Sequence, residues 1–491
     1  MKVLNSKIID SSYWQALFAA DSVAIIGAKD VPGSWGYDAL HSVSESGRKG
    51  GPRHVYAVNP GCKEVLGYPC YKTVLDIEGP VELAIIVVPA PAVPQVLQQC
   101  ADKKVKAAVI ISAGFGEVDE AGSRMESELR RIAEEGGIRF VGPNCVGHAD
   151  VHTPLASAGL AGGRTAGPMS IISQSGTLGA NMMQIASDYG IGLSKFVSTG
   201  NETDLHLEDY LEFLGTDRET GIIVAYIEGL REGRRFYELS KNITKKKPII
   251  VIKTGATAES SKAAKSHTGA LSGADEIYSA AFRQAGVMRA DDEEEVCGTV
   301  AAILTQPLPR GNRVGIVTMG GGFGVVTAEA CEKEGLKIAP LEPQTIKKIG
   351  EILPSRWTQG NPVDMVGIRP TPGNMTIVDC IRCLLEDNNV DAVLTLLPLI
   401  ASFYGPPDSV DERKLRALHA ENREKTEQLA KELKEYGKPL YMVTRFSFHQ
   451  ESILPPSYSS DRIPEFKHHS RAARVLKQLA WYSRYLEKRT G

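Results

Sequence analysis

The 491-residue sequence has no apolar run long enough to cross a bilayer. The best candidates are Leu83–Leu97, broken by Pro89, Pro91 and Pro94, and Ala392–Ser402, which is too short. No membrane span is expected. Charge of one sign is also scarce. The formal net charge is −3, so the chain offers no broad field to nucleic acid or to an anionic membrane, and a small-molecule ligand is the better expectation. Cysteines are few: eight scattered residues do not make a disulfide framework. Together with Asp10 and Asp21 near the N-terminus, where an export signal would be apolar, they predict a reducing, cytoplasmic location. Cys380 and Cys383 form a CxxC, but Thr376–Leu385 has helical periodicity that turns both thiols to one face, and packing is the expectation. No metal site is expected in this chain.

What is present is the composition of a globular protein, 42% hydrophobic and 23% charged, with length for roughly three domains. Strand-like and helical segments alternate throughout, which predicts three doubly wound α/β domains over residues 1–150, 151–306 and 307–491. In the first, strands are expected at Ser22–Gly27, Val55–Asn59, Leu83–Pro89, Val109–Gly114 and Ile138–Gly142. In the second they are expected at Met169–Ser173, Gly192–Val197, Gly221–Ile227 and Pro248–Lys253, with helices at Leu178–Tyr189 and Arg235–Lys241. The third follows a linker-like Gln306–Gly311. It opens on strand Arg313–Met319, a glycine-rich turn and helix Val325–Glu334, and includes the charged helical stretch Val410–Tyr436.

The first strand runs into Gly27-Ala28-Lys29 and on through Gly33 to Gly36. Glycines at such a turn let a backbone approach a phosphate at the next helix N-terminus. A nicotinamide dinucleotide site requires an acid near the end of the second strand for the ribose hydroxyls. That place reads Val58-Asn59-Pro60, which disfavours a dehydrogenase and leaves a nucleotide of other decoration, such as CoA. Val88-Pro89, Ser112-Ala113-Gly114 and Gly142-Pro143-Asn144 are expected to rim the same crevice, although each could be an ordinary tight turn.

In the second unit Ser173–Gly179 (SQSGTLG) follows a strand and opens a helix, an anion-binding arrangement without the lysine of a P-loop. Farther on, Ser260–Gly273 is rich in small residues and carries His267 near its middle. A lone histidine is usually structural. In a pliable loop its neutral imidazole can accept a phosphoryl group, and its other nitrogen then requires an acceptor. Glu228 ends a strand of the same sheet and is the candidate; the plain alternative is an exposed strand-end carboxylate.

Taken together, Gly27–Gly36, Val88-Pro89, Ser112–Phe115 and Gly142–Asn144 resemble the CoA-binding domain of the succinyl-CoA synthetase superfamily. Ser173–Gly179, Glu228 and Ser266–Gly273 resemble its phosphohistidine domain. Thr318–Gly324 and Gly360–Asp364 resemble the extra ligase domain of ADP-forming acetyl-CoA synthetases. The resemblance implies a Rossmann-like CoA-binding domain followed by two flavodoxin-like ligase domains. It implies CoA contacts from Gly27, Ala28, Lys29, Asn59, Pro60, Val88, Pro89, Ser112, Ala113 and Asn144, and phosphate contacts from Ser175, Gly176, Thr177 and Gly269. His267 would be the phosphorylated residue, steadied by Glu228. Acyl-CoA, ADP and phosphate would be converted reversibly to a carboxylic acid, ATP and CoA through an acyl phosphate and a phosphohistidine.

Two departures qualify the resemblance. The three units account for the chain and leave no segment for the ATP-grasp module that holds ADP or ATP with Mg2+, so a separate ATP-grasp β subunit in a hetero-oligomer is expected. Where succinyl-CoA synthetase has a tyrosine after its Ser-Gly-Thr-Leu turn, this chain has Ala180, so succinate is not the expected acid. The alternative reading is a non-catalytic protein of the same fold that senses CoA or acyl-CoA.

Overall fold

The computed structural model describes residues 9–157, 165–257, 275–368, 376–396, 428–443 and 463–490. They fall into two compact units, one ending at Glu293 and the other beginning at Glu294. No helix among the described residues is long and apolar enough to cross a membrane.

The first unit contains two sheets. After helix α1 (Ser11–Ala19) come strands β1 (Ser22–Ile26), β2 (His54–Val58), β3 (Glu64–Val65), β4 (Tyr68–Tyr71), β5 (Leu83–Ile86), β6 (Ala107–Ile110) and β7 (Arg139–Val141), in the spatial order β3-β4-β2-β1-β5-β6-β7. All neighbours are parallel except the β3–β4 hairpin. Strands β1, β5 and β6 are buried along their whole length, as continuous apolar runs are when helices cover both faces of a parallel sheet. The intervening helices are α2 (Trp35–Arg48), α3 (Val93–Asp102) and α4 (Glu120–Gly136). From β1 the chain passes to β2 on one side and later to β5 on the other. The crevice of a doubly wound sheet opens beyond the carboxyl ends at such a reversal.

The second sheet has the order β14-β13-β12-β10-β11-β8-β9, formed by β8 (His148–Asp150), β9 (Leu155–Ala156), β10 (Ala166–Ser173), β11 (Leu193–Ser198), β12 (Ile222–Ile227), β13 (Ile249–Lys253) and β14 (Met288–Ala290). Strands β10 to β14 are mutually parallel; β8 and β9 join antiparallel at one edge. Residues on either side of position 150 therefore belong to this sheet. The helices are α5 (Gly176–Asp188), α6 (Leu207–Thr216), α7 (Gly233–Ile243) and α8 (Asp275–Ala285). Helix α5 starts two residues before the expected Leu178 because Ser175 caps it, its hydroxyl accepting from the Leu178 N–H.

Helix α9 (Glu293–Thr305) leads into the second unit. Its parallel sheet has the order β16-β15-β18-β19-β20, from β15 (Arg313–Thr318), β16 (Lys337–Ile338), β18 (Ala392–Leu396), β19 (Leu440–Val443) and β20 (Glu465–Phe466), with β17 (Val363–Asp364) also on β15. Its helices include α10 (Gly321–Lys333), α11 (Pro343–Ile352), α12 (Thr376–Glu386) and α13 (His469–Thr490). Helix α10 begins at Gly321, so the glycines expected to form a turn supply instead the first turn of the helix. In Gly360–Asp364, Asn361 satisfies the ladder: its Oδ1 accepts from Ile316 N–H at 2.9 Å and its Nδ2 donates to Val314 O at 2.8 Å and Ala339 O at 2.9 Å. Cys380 and Cys383 are buried on α12, consistent with packing, and burial pushes the Cys380 thiol up to about 12. Of the charged stretch Val410–Tyr436, residues 410–427 lie outside the described residues, and 428–436 are helical.

Candidate active site

The turn after β1 is shaped by two close approaches. Gly27 has φ +99°, and a Cβ there would come within 2.8 Å of the Val87 carbonyl oxygen. A Cβ on Gly36, in the first turn of α2, would lie 2.2 Å from the Gly27 carbonyl oxygen. Asn59, at the end of β2, braces this turn from behind: its Nδ2 donates to Ala28 O at 2.8 Å, and its Oδ1 accepts from Gly61 N–H at 2.9 Å. The turns after β5 and β6 are tied together by Ser112 Oγ, which donates to Val88 O at 2.5 Å. The Asn144 N–H donates in turn to Ser112 O at 2.9 Å.

The second sheet meets this edge with its own strand ends. Gln174, only 7% exposed, is the clamp. Its Oε1 accepts from the N–H groups of Glu228 (2.5 Å) and Gly229 (3.1 Å), and its Nε2 donates to Gly229 O at 2.8 Å. The turn that begins α5 is thereby locked to the end of β12, where Glu228 sits. Glu228 is 5% exposed, so the alternative of an exposed strand-end carboxylate does not hold. Lys253 Nζ donates to its carbonyl at 2.9 Å from beside the Tyr278 ring, and burial lowers the Lys253 pKa.

Asn201, after β11, fastens the two edges. Its Nδ2 donates to Glu117 Oε2 at 2.6 Å and Glu126 Oε1 at 2.7 Å. Its Oδ1 accepts from Asn144 Nδ2 at 3.1 Å, and its N–H donates to Pro143 O at 3.0 Å. Burial opposes ionisation of Glu117, but hydrogen bonds from the Gly114 N–H and Asn201 outweigh it and hold the carboxyl below its ordinary value.

Between the edges lies a cavity of about 520 Å3. Of the residues anticipated from the sequence, it gathers Lys29, Val88, Pro89, Ser112, Ala113, Asn144, Ser175, Gly176 and Thr177 on its wall. Gly27, Ala28, Asn59, Pro60 and Glu228 are not part of the wall. Ala28 is fully buried beneath the turn, Asn59 acts as its brace, and Pro60 faces solvent. His267 and Gly269 lie outside the described residues. Sequence reasoning missed Trp35, Gln174, Gly200 and Asn201, which also line the cavity. Gln174 was within reach, since it stands inside the phosphate-type turn, and Gly200-Asn201 follow a strand as the other rim turns do.

Comparison with known proteins agrees with this arrangement. The chain matches the families described as CoA binding domain over residues 21–150, succinyl-CoA ligase like flavodoxin domain over 166–303, and Ligase-CoA domain over 314–425. It is 42% identical over 409 residues to the alpha subunit of ADP-forming acetate–CoA ligase II of Pyrococcus furiosus, covering 83% of this chain and 87% of that one. It is 43% identical over 346 residues to the ADP-forming acetate–CoA ligase of Methanocaldococcus jannaschii, and there the match spans 70% of this chain but only 48% of the relative. Among solved structures, a dinucleotide forming acetyl-coenzyme A synthetase 1 of Candidatus Korarchaeum cryptofilum, in complex with phosphate and ADP, superposes with a TM-score of 0.81 at 30% identity. That match covers 97% of this chain and 99% of the other. With identities above 40% and the three matched families in the same order as the sheets, the chain belongs to the ADP-forming acyl-CoA synthetases, among relatives of their alpha subunits.

Proposed function

We propose that this chain is the CoA-handling, phosphoryl-accepting α component of an ADP-forming acyl-CoA synthetase. In this reading residues 1–150 carry CoA, 151–306 the phosphohistidine and 307–491 a second ligase domain. The observation that carries it is one cavity in which the turns after β1, β5 and β6 face the capped N-terminus of α5. A long ligand with an anionic reacting end fits such a space: Lys29 and the braced glycine turn suit phosphate groups, and the α5 N-terminus suits the anion being transferred.

The reaction then proceeds by displacement. Inorganic phosphate, held at Ser175, Gly176 and Thr177 with Gly269, attacks the thioester carbonyl; the C–S bond breaks, and CoA leaves as the thiol. The acyl phosphate transfers its phosphoryl group to an imidazole nitrogen of His267, and the carboxylate departs. Glu228 accepts from the other ring nitrogen and balances the charge of the phosphorylated ring. Phosphohistidine finally passes its phosphoryl group to ADP. The nucleotide and its Mg2+ are assigned to an ATP-grasp β subunit, a reading supported by relatives named as alpha subunits. Among the described residues no group of three or more His, Cys, Asp or Glu is arranged to hold a metal ion. A short acid such as acetate is the first substrate to test, on the names of the relatives. Eight free cysteines support a cytoplasmic location.

The test is ATP formation from acetyl-CoA, ADP and phosphate by the chain mixed with a candidate β subunit. Wild type is expected to turn over and to carry a phosphoryl label that is stable in base and lost in acid, the signature of phosphohistidine. His267→Ala is expected to lose turnover and the phosphoryl label while still binding CoA. Full activity in that variant would sink the assignment, and CoA binding without any turnover in wild type would favour a sensor.

A further inference from the structure

Behind the α5 turn lies a carboxyl that the proposed chemistry does not use. Glu202 is 3% exposed and has φ +54°, a backbone conformation that residues other than glycine rarely adopt. It directly follows the cavity-lining pair Gly200-Asn201. Thr199 Oγ1 lies 2.9 Å from Glu202 Oε1 and 3.4 Å from the carbonyl oxygen of Ser173, the last residue of β10. Gln174, the clamp on Glu228 and Gly229, also hydrogen-bonds the Glu202 carboxyl.

We infer that Glu202 is a positioning residue for the phosphate end of the cavity, acting as a protonated carboxyl through Thr199 and Gln174 on the turn that carries Ser175–Thr177. The inference rests on the function proposed above. Its logic is a count of protons. The Thr199 hydroxyl has one proton and two acceptors within reach. A neutral Glu202 donates to Thr199 Oγ1, which leaves the threonine proton for Ser173 O. An ionised Glu202 claims that proton in a stronger, charge-assisted bond and leaves the Ser173 carbonyl to the Thr199 N–H alone, at 2.8 Å. Ionisation also sets a negative charge behind a helix N-terminus that serves an anion.

The surroundings favour the neutral form. Burial and then the charge of Glu208 push the Glu202 pKa up to about 8. Glu208, from α6, is itself fully buried, with Oε1 accepting from the Glu232 N–H at 2.9 Å; burial raises its pKa too, against that hydrogen bond, and the charges of Glu232 and Asp209 act with burial. Two carboxyls in one buried setting do not both ionise cheaply. The cation facing them, Arg231 from the loop after β12, lowers the Glu202 pKa but directs its Nη2 to Asn201 O at 2.9 Å.

The test follows ATP formation by the complete enzyme from pH 6.5 to 9, with phosphate as the varied substrate. If only the neutral form sets the turn, about a tenth remains competent at pH 9, and the phosphate KM of wild type rises about tenfold while kcat changes less. In Glu202→Gln, whose amide donates to Thr199 at every pH, that rise disappears. Thr199→Val abolishes the rise as well and leaves a raised KM at all pH values. A wild-type-like rise in Glu202→Gln overturns the inference. A second readout needs no turnover. Because the folded-state pKa is raised above the ordinary 4.5, the stability of wild type relative to Glu202→Gln is expected to fall as pH climbs from about 4.5 to 8 and to level off above. A constant melting difference overturns the inference even when ATP forms. An enzyme that forms no ATP refutes the proposed function alone, and the melting curves still decide Glu202.

Discussion

The two edges that meet at the cavity are built by different means. The first-sheet edge is a backbone construction: Gly27 at positive φ, Gly36 packed on its carbonyl, Asn59 bracing Ala28, and the exposed side chains of Lys29 and Trp35 standing outward. The second-sheet edge is a construction of buried polar side chains: Gln174, Glu202, Glu208, Glu228 and Lys253. A backbone edge can accept a large, flexible, charged ligand with little desolvation. A buried polar edge is costly unless every group finds a partner, and it holds a small anion in one geometry. The first is therefore tuned by shape, and the second is exposed to single side-chain losses and to pH.

The sharpest way to break that contrast is to remove the clamp. Gln174→Ala strips partners from two N–H groups and one carbonyl at Glu228 and Gly229. At about 1–3 kcal/mol for each of the three buried groups left unpaired, a loss of about 3–9 kcal/mol is expected in denaturant unfolding, together with loss of turnover. A cost below about 1 kcal/mol would mean that the second edge does not depend on its side chains.

A smaller effect is expected at the seam between the edges, where β8 crosses into the second sheet. His148 is fully buried against the Phe18 ring, with Nδ1 3.1 Å from Ser157 Oγ, and burial pulls its pKa down to about 4. The unfolded chain takes up this proton near the usual value of about 6.5. Stability conferred by the neutral ring is thus present above pH 6.5 and lost as pH falls toward 4, by about 3 kcal/mol. Unfolding curves of wild type and His148→Leu should converge over that window; parallel curves would show that the seam does not sense acid.

The smallest of the three falls on the backbone edge. Gly36→Ala forces a Cβ into the Gly27 carbonyl, and overpacking of about 1–3 kcal/mol should weaken CoA binding by about tenfold or more. The phosphate KM should stay within about twofold. Equal changes in both constants would show that the two edges are one mechanical piece.

Much of this was legible beforehand, and for uneven reasons. The parallel strands announced themselves because a strand covered on both faces must be largely apolar, as Val23–Ile26 and Ile222–Ala225 are. The hairpin β3–β4 and the strand pair β8–β9 were not anticipated: they are two to four residues long and lack the apolar run that marks a buried strand. In the second unit the glycines of Gly320–Gly324 suggested a turn, yet they open α10, since helix N-terminal residues are held by the turns that follow them rather than by their own propensity.

Sequence by itself determined the alternation of strand and helix, the positions of the phosphate-type turns and the absence of an acid after β2, because these depend on local pattern and spacing. It also sufficed to identify the family. Only tertiary structure decided which turns share one cavity and which residues stand behind its wall. Asn59, expected as a ligand contact, also braces the turn, whereas Gln174 and Asn201 looked ordinary and proved the fasteners. The physical reason is that a hydrogen-bonded hub is defined by partners far away in the chain. Glu202 shows it most plainly: its protonation depends on a fully buried neighbour, Glu208, and on burial that no local pattern records.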